Sequence, residues 1–207
     1  DNCYALTMAA RLKAMGQAKY QTDGDPRTSG PGFALSIHPD TLSIPHRWSN
    51  PRMIFVNSMS DLFHRDVPVE FMRDVFAVMA DTPRHTYQLL TKRSKRLSRL
   101  ADVLDWPPNL WVGVSVETQQ YGFRIDHLRE VPAAVRFLSI EPLLGPVSVD
   151  LDGIDWVIVG GESGSSCRAV DPESVRGIRD ACLDSGTPRF FQPGGGRTPT
   201  SNGRMLE

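Results

Sequence analysis

Cysteine is scarce in this sequence of 207 residues: there are three, Cys3, Cys167 and Cys182. So few and so widely spaced, they make neither a disulfide framework nor a CxxC pair. The chain therefore reads as a reduced, cytoplasmic protein whose cysteines are packing residues or ligands. Long apolar runs are missing too. No stretch approaches the roughly 20 residues needed to cross a bilayer, and no signal-peptide pattern is present, so no membrane partner is expected. Excess charge of either sign is the third absence. With 23 Lys and Arg against 24 Asp and Glu, the formal net charge is −1. That gives no global electrostatic basis for nucleic-acid binding and leaves only local patches to consider. Nucleophile-elbow, HExxH and paired-CxxC patterns are absent, which weakens hydrolase and zinc readings. The five histidines (His38, His46, His64, His85 and His127) show no metal-ligand spacing and are expected in loops or on the surface.

What is present is an alternation. A 40% hydrophobic content over this length can bury one sizeable core. Short apolar, β-branched runs alternate with segments of helical spacing. A helix is expected over Tyr4 to Met15, closed by Gly16 as a C-cap. A loop from Gln21 to Gly32 leads to "FALSIHP" (Phe33 to Pro39), a candidate short strand. Met53 to Val56 is the core of a buried strand. "VPVEFMRDVFAVMADT" places Val67, Phe71, Val75, Val78 and Met79 at helical spacing. Strands are then expected at Thr86 to Thr91, at Leu110 to Val116, in "VRFLSIEP", in "DWVIVGGESG" and in "PRFFQ". The intervening helices are "KRLSRLADVL", Tyr121 to Arg129, and Glu173 to Asp184. Doubly buried strands, each followed by a helix, specify a parallel sheet with right-handed crossovers. A parallel (β/α) barrel, complete or partial, fits six or seven such units best. An open doubly wound sheet is the runner-up. The whole of residues 1–207 is expected to form one domain, with a loop-rich tail over 193–207.

In a barrel the strands' C-terminal ends and following loops build the site. Polar residues gather there: Asn57, Ser58, Ser60 and Asp61 after one strand; Thr91, Lys92 and Arg93 after the next. Ser115, Glu117 and Thr118 follow a third, Ser139 and Glu141 a fourth, and Gly160, Gly161, Glu162 and Ser163 a fifth. Lys92, with Glu117 or Glu141, could form an acid–base pair. The "GGESG" glycines would let a ligand approach the backbone, and their N–H groups could hold an anion such as phosphate. "TKRSKRLSR" packs Lys92, Arg93, Lys95, Arg96 and Arg99 into eight residues. It is either a solvated helix face or a contact surface for nucleic-acid phosphates through Lys92–Arg99.

Seven stretches together resemble one family: phage and bacterial proteins of unknown function that carry a three-cysteine motif. They are "NCYA", "FVNSMSDLFH", "TYQLLTKR", "WVGVSVE", "VRFLSIEPLLGP", "DWVIVGGESG" and the "FF" at Phe190, and they run in the family's order along the chain. In that family the cysteine before "YA" is the last of three. The family in turn resembles radical S-adenosylmethionine (SAM) enzymes. That implies a TIM-like barrel, a 4Fe–4S cluster, bound SAM, an electron donor and a 5′-deoxyadenosyl radical acting on an unknown substrate, with nucleic acid one candidate. The resemblance makes Cys3 a cluster ligand and puts Tyr4 beside the cluster or the adenine. Asn57, Ser58 and Asp61, Ser115 and Glu117, and Gly160 to Glu162 with Ser163, become candidates for the amino, ribose and carboxylate groups of SAM. The sequence departs from the family in two places. The other two cysteines are not among these residues, so the chain is expected to be N-terminally incomplete and, with Cys3 alone, to hold no cluster. "FFQPGGG" stands where the family has Lys-Gln-Trp-Gly-Gly. Two other functions stay open: a phage or host binding protein on a barrel scaffold, and a cluster-independent barrel enzyme with a phosphate-binding GGESG loop.

Overall fold

The computed structural model describes residues 4–162 and 167–192. Cys3, Ser163 and the expected 193–207 tail lie outside these residues. The chain divides into two compact units, residues 1–41 and 42–207.

In the first unit, α1 (Tyr4–Ala14) ends where Gly16 takes a left-handed conformation, as the C-cap pattern predicts. Asp23 organises the loop that follows. Its carboxylate accepts from Lys13 Nζ and from the Gly32 amide at 2.7 Å, and these bonds hold it below the usual aspartate range. Gly32 adopts φ +68°, and a Cβ there would come within 2.8 Å of the Ala9 carbonyl oxygen. The strand expected at Phe33 to Pro39 does not form. That segment is irregular and gives way to a 3-10 turn at Pro39–Thr41. Its alternation of apolar residues finds no neighbouring strand to supply ladder hydrogen bonds.

The second unit holds β1 (Met53–Val56), α2 (Val69–Asp81), β2 (Thr86–Thr91), α3 (Ser94–Arg99) and β3 (Leu110–Ser115). It continues with α4 (Phe123–Arg129), β4 (Val135–Ile140), β5 (Trp156–Val159), α5 (Pro172–Ser185) and β6 (Arg189–Phe191). All six strands are parallel and pair in the unbroken order β1 to β6. A doubly wound sheet reverses its order at a switch point. This one has no reversal, so the runner-up fold is set aside. The sheet curls into a half-barrel, and closure into a complete barrel is not seen among the described residues.

Strand parity sorts the side chains into two faces. Tyr87 and Leu89, Val112 and Val114, Leu138 and Ile140, and Val157 and Val159 form one core with the helices: Met72, Phe76 and Met79 of α2, Leu97 of α3, Ile125 and Leu128 of α4, and Val175, Ile178 and Cys182 of α5. Burial raises the Cys182 thiol above its ordinary range, as expected of a packing cysteine. Helix α5 is bounded by the signals its sequence carries. The Asp171 side chain caps the amides of Glu173 and Ser174, and Gly186 is left-handed at its end. Helix α3 is shorter than "KRLSRLADVL" predicts and stops at Arg99. The chain then turns, and Trp106 Nε1 takes the Ala101 carbonyl at 2.7 Å just before Pro107 and Pro108. Proline at those positions bars further helix.

The opposite, inner face is built in layers. Register places Gln88 beside Trp111, then Leu90, Gly113, Phe137 and Trp156 in one row, and Ser115, Ser139, Ile158 and Phe190 in the next. A Cβ on Gly113 would lie 2.4 Å from the Phe137 ring, so only glycine lets that ring cross the sheet. Phe137 and Trp111 both pack against Trp156, with ring centroids 5.7 and 5.9 Å apart. At the strands' other ends the polar groups are structural. Asn109 Nδ2 donates to the carbonyls of Met79, Thr82 and His85. Arg84 donates to those of Pro45, His46 and Trp48. His85 lies in a loop, one of the two places expected of the histidines, but is 1% exposed, with Nδ1 accepting from the Arg52 amide and Nε2 against the Pro45 carbonyl.

Candidate active site at the strand exits

Extending the same parity past the strand ends puts Asn57, Lys92, Glu117, Glu141, Gly160 and Gln192 on inner-face positions. Backbone pairing continues in step with it: Val116 N donates to the Ser139 carbonyl, Gly160 N to that of Ile140, and Gln192 N to that of Val159. Glu117, Glu141 and Gly160 thus follow one another across three neighbouring strands.

Glu117 is the most constrained of them. Lys92 Nζ contacts its Oε1, and Arg124 Nη1 donates to Oε2 at 3.0 Å and to the Ser115 carbonyl at 2.7 Å. Arg124 and Glu117 are each 8% exposed. The guanidinium also stacks on Tyr121, 4.1 Å from the ring centre. Two cations on one buried carboxylate favour its ionised form. Asp61 anchors the neighbouring corner. It accepts from the Phe63 amide at 3.0 Å, from Thr91 Oγ1 at 2.7 Å and from the Lys92 amide at 3.2 Å, and Arg93 Nε lies 3.8 Å away. Lys92 is therefore fixed at both ends of its side chain, by Asp61 at the backbone and by Glu117 at the tip.

Glu141 differs. Its half-buried carboxyl has no hydrogen bond or ion pair among the described residues, and burial alone raises it above the ordinary glutamate range. It lies against Gly160, where a Cβ would sit 2.9 Å from Glu141 Oε1 and 3.0 Å from Gln192 Cβ. That clearance, rather than a free amide, is what the glycine provides, because the Gly160 N–H is spent on the Ile140 carbonyl. Below Glu141 on the same face, Ser115 (2% exposed) and Ser139 (5%) have hydroxyls with no hydrogen bond among the described residues. Gln88 Nε2 is buried without a partner on that face.

The remaining candidates take other places. Asn57 is left-handed at φ +66°, and its Nδ2 donates to Ser60 Oγ at 2.7 Å. Ser58 stands next to it and is engaged in an interaction of its own. Gly161 is buried. Glu162 is gripped by Arg168 through the backbone amide at 2.9 Å, Nε at 2.9 Å and Nη2 at 2.7 Å. Tyr4 begins α1 in the first unit and is 60% exposed. Within the basic stretch, Arg96 is not a solvated residue. It donates to the carbonyls of His64 and Val67, which leaves Lys95 and Arg99 as the exposed cations of α3. Arg124 and the Trp111, Phe137 and Trp156 floor are the parts that strand-exit reasoning misses. Alternation of Ser115 with Glu117, and of Ser139 with Glu141, was the signal that could have grouped the inner face.

Fold and rim together define an α/β half-barrel protein with a rim of polar residues at the C-terminal ends of its strands. The chain belongs to the family described as "Protein of unknown function (DUF5131)", which matches residues 1–207. No curated protein and no solved structure matches it. No described helix is long and apolar enough to cross a membrane.

Proposed function

We propose that this chain is the barrel of a radical SAM-like enzyme that binds SAM across the inner rim and acts on a small substrate held beside it. The observation that carries the reading is the unbroken parallel order of six strands, with Ser115, Glu117, Ser139, Glu141 and Gly160 together on the inner side of their exits. It is joined by the family's order of motifs along the chain.

The open polar atoms suit a multifunctional organic ligand. The Ser115 hydroxyl, 2% exposed and with no hydrogen bond among the described residues, would hold a ribose oxygen. The cluster is a separate matter. No group of three His, Cys, Asp or Glu side chains among the described residues could hold a metal ion, and Cys3 lies outside them. The cluster's ligands are thus not among the residues that form the rim.

When bound at a reduced cluster, SAM supplies a 5′-deoxyadenosyl radical. The chain's own share is preorganisation. Lys92 and Arg124 keep Glu117 ionised and fixed as an acceptor. Asp61 holds the Lys92 backbone, and Glu117 meets the ammonium at the side chain's tip. Trp111, Phe137 and Trp156 close the floor beneath the rim against water.

The test is anaerobic expression of the full-length protein with its native upstream residues. A brown protein with about four irons per chain, whose SAM binding falls on changing Ser115 to Ala, is the expected result. Protein that stays free of iron after competent reconstitution overturns the reading.

A further inference from the structure

We infer that Glu141 forms the ammonium-binding subsite of this rim, and that its ligand is a primary amine carrying an apolar body. As the substrate site this rests on the function proposed above; the binding itself does not.

The argument begins with charge. Of the rim's cations, Lys92 and Arg124 both converge on Glu117, and Arg168 is committed to Glu162. Glu141, one strand over from Glu117, has no cation partner among the described residues, although it is half-buried and burial works against its ionised form. A carboxyl withdrawn from water with no partner is costly, and a ligand that supplies the missing positive charge removes the cost. An anionic ligand would meet the carboxyl unfavourably.

Shape agrees with charge. Directly beneath Glu141 lies Ser139, a residue 5% exposed whose hydroxyl makes no hydrogen bond among the described residues. It can accept one ammonium N–H while Glu141 accepts the others. The positions beside Ser139 in the same row are Ile158 and Phe190, the latter 51% exposed, with Trp156 a row further down. Those side chains offer an apolar bed for the rest of the molecule, and aromatic faces tolerate a nearby cation. Gly160, having no Cβ, makes room for the Glu141 carboxyl to lie against the sheet, with Gln192 on its other side.

Phenethylamine is the probe, titrated into the full-length protein and followed by tryptophan fluorescence, since Trp111 and Trp156 share the inner face. Saturable binding is expected, with 2-phenylethanol and 3-phenylpropanoate weaker by about tenfold or more, because they keep the ring but lose the positive charge. Glu141→Gln, which keeps the side chain's shape, should weaken the amine by about tenfold or more and leave the binding of 2-phenylethanol unchanged. Equal binding of amine and alcohol, or full retention of amine binding by Glu141→Gln, overturns the inference. Competition with SAM separates it from the cofactor reading. If SAM and phenethylamine bind together, Glu141 is a substrate group. If SAM displaces the amine completely, Glu141 serves the cofactor and the substrate inference fails, while the radical SAM reading stands. A protein that binds the amine but never takes up iron keeps the subsite and loses the enzyme class.

Discussion

Glu117 and Glu141 occupy matching inner-face positions just past β3 and β4, yet their surroundings are opposite. Glu117 is gripped by Lys92 and Arg124, and Glu141 has neither cation nor hydrogen bond among the described residues. Both are withdrawn from water. One exchanges hydration for two charge-assisted bonds. The other keeps an unmet electrostatic demand, and unmet demand at strand exits is a mark of a binding site rather than of a scaffold. Neighbouring positions on one rim therefore differ in kind: Glu117 is tied into the frame, and Glu141 is the carboxyl open to the ligand inferred above.

The sharpest way to break this comparison is to remove the frame. Glu117→Ala leaves Arg124, 8% exposed, without its counter-charge and releases Lys92. Breaking a buried pair from one side costs about 3–5 kcal/mol, so a large drop in the urea midpoint is expected. Arg124 differs from Lys92, whose side chain is 56% exposed. Lys92→Ala should therefore cost much less than Glu117→Ala. Equal losses would mean that Glu117 is held chiefly by Lys92.

A second change acts beneath both carboxylates. Gly113 and Phe137 are register partners two residues before Ser115 and Ser139. A Cβ at Gly113 would meet the Phe137 ring at 2.4 Å. Gly113→Ala must push that ring off the floor, at about 1–3 kcal/mol for overpacking. The same shift should change the emission of Trp156, which packs against Phe137. Lost stability with unchanged emission would show that the strands move instead of the ring.

Much of this was open to reading from the sequence, and the exceptions have physical causes. Alternating apolar runs and helical segments specified a parallel sheet, and every sheet strand was anticipated from Met53 onward. The Phe33 to Pro39 strand was not real, because alternation cannot tell whether a partner strand exists. The rim residues were legible as strand exits. Their pairing was not. Glu117 takes its second cation from Arg124, seven residues on, which depends on how α4 returns across β3 and β4. Arg96 reads as part of a basic face in the sequence, but its guanidinium turns to the loop carbonyls of His64 and Val67, which only the fold brings to it. The aromatic floor was hidden because Trp111, Phe137 and Trp156 read simply as core residues, and only register puts them together.

Glu141→Gln tests the other half of the comparison and has the opposite sign. Burial places the folded-state carboxyl above its ordinary value of 4.5. Such a group binds its proton more tightly in the folded state, so the wild type loses stability as pH rises through 4.5, and the loss is complete above the folded-state value. Glutamine does not ionise and escapes that loss. The variant should melt with the wild type near about pH 3.5 and above it near about pH 8, by about 1 kcal/mol for one uncompensated polar group. A difference that does not change with pH would mean that Glu141 carries no ionisation penalty and is already satisfied.

The smallest effect is expected where cations are many but buried carboxylates are absent. Lys95 and Arg99 lie exposed on α3 and make no ion pair or hydrogen bond among the described residues, whereas Arg96 on the same helix donates to two carbonyls. Surface substitutions away from packed or paired groups stay within about 0.5 kcal/mol, so Lys95→Ala with Arg99→Ala should leave the denaturant midpoint almost unmoved. Arg96→Ala, which takes the side-chain donor from the Val67 carbonyl and leaves the His64 carbonyl only the Val67 amide, should cost about 1–3 kcal/mol. The same double variant also measures the basic surface as a phosphate contact. If Lys95 and Arg99 bind nucleic acid, their loss lowers affinity for a generic DNA duplex and flattens its salt dependence. With a formal net charge of −1 and two of the five basic residues in that stretch already committed to Glu117 and to the loop carbonyls, no such change is expected. What counts around this rim is where a charge sits relative to a buried carboxylate, not how many charges the helix carries.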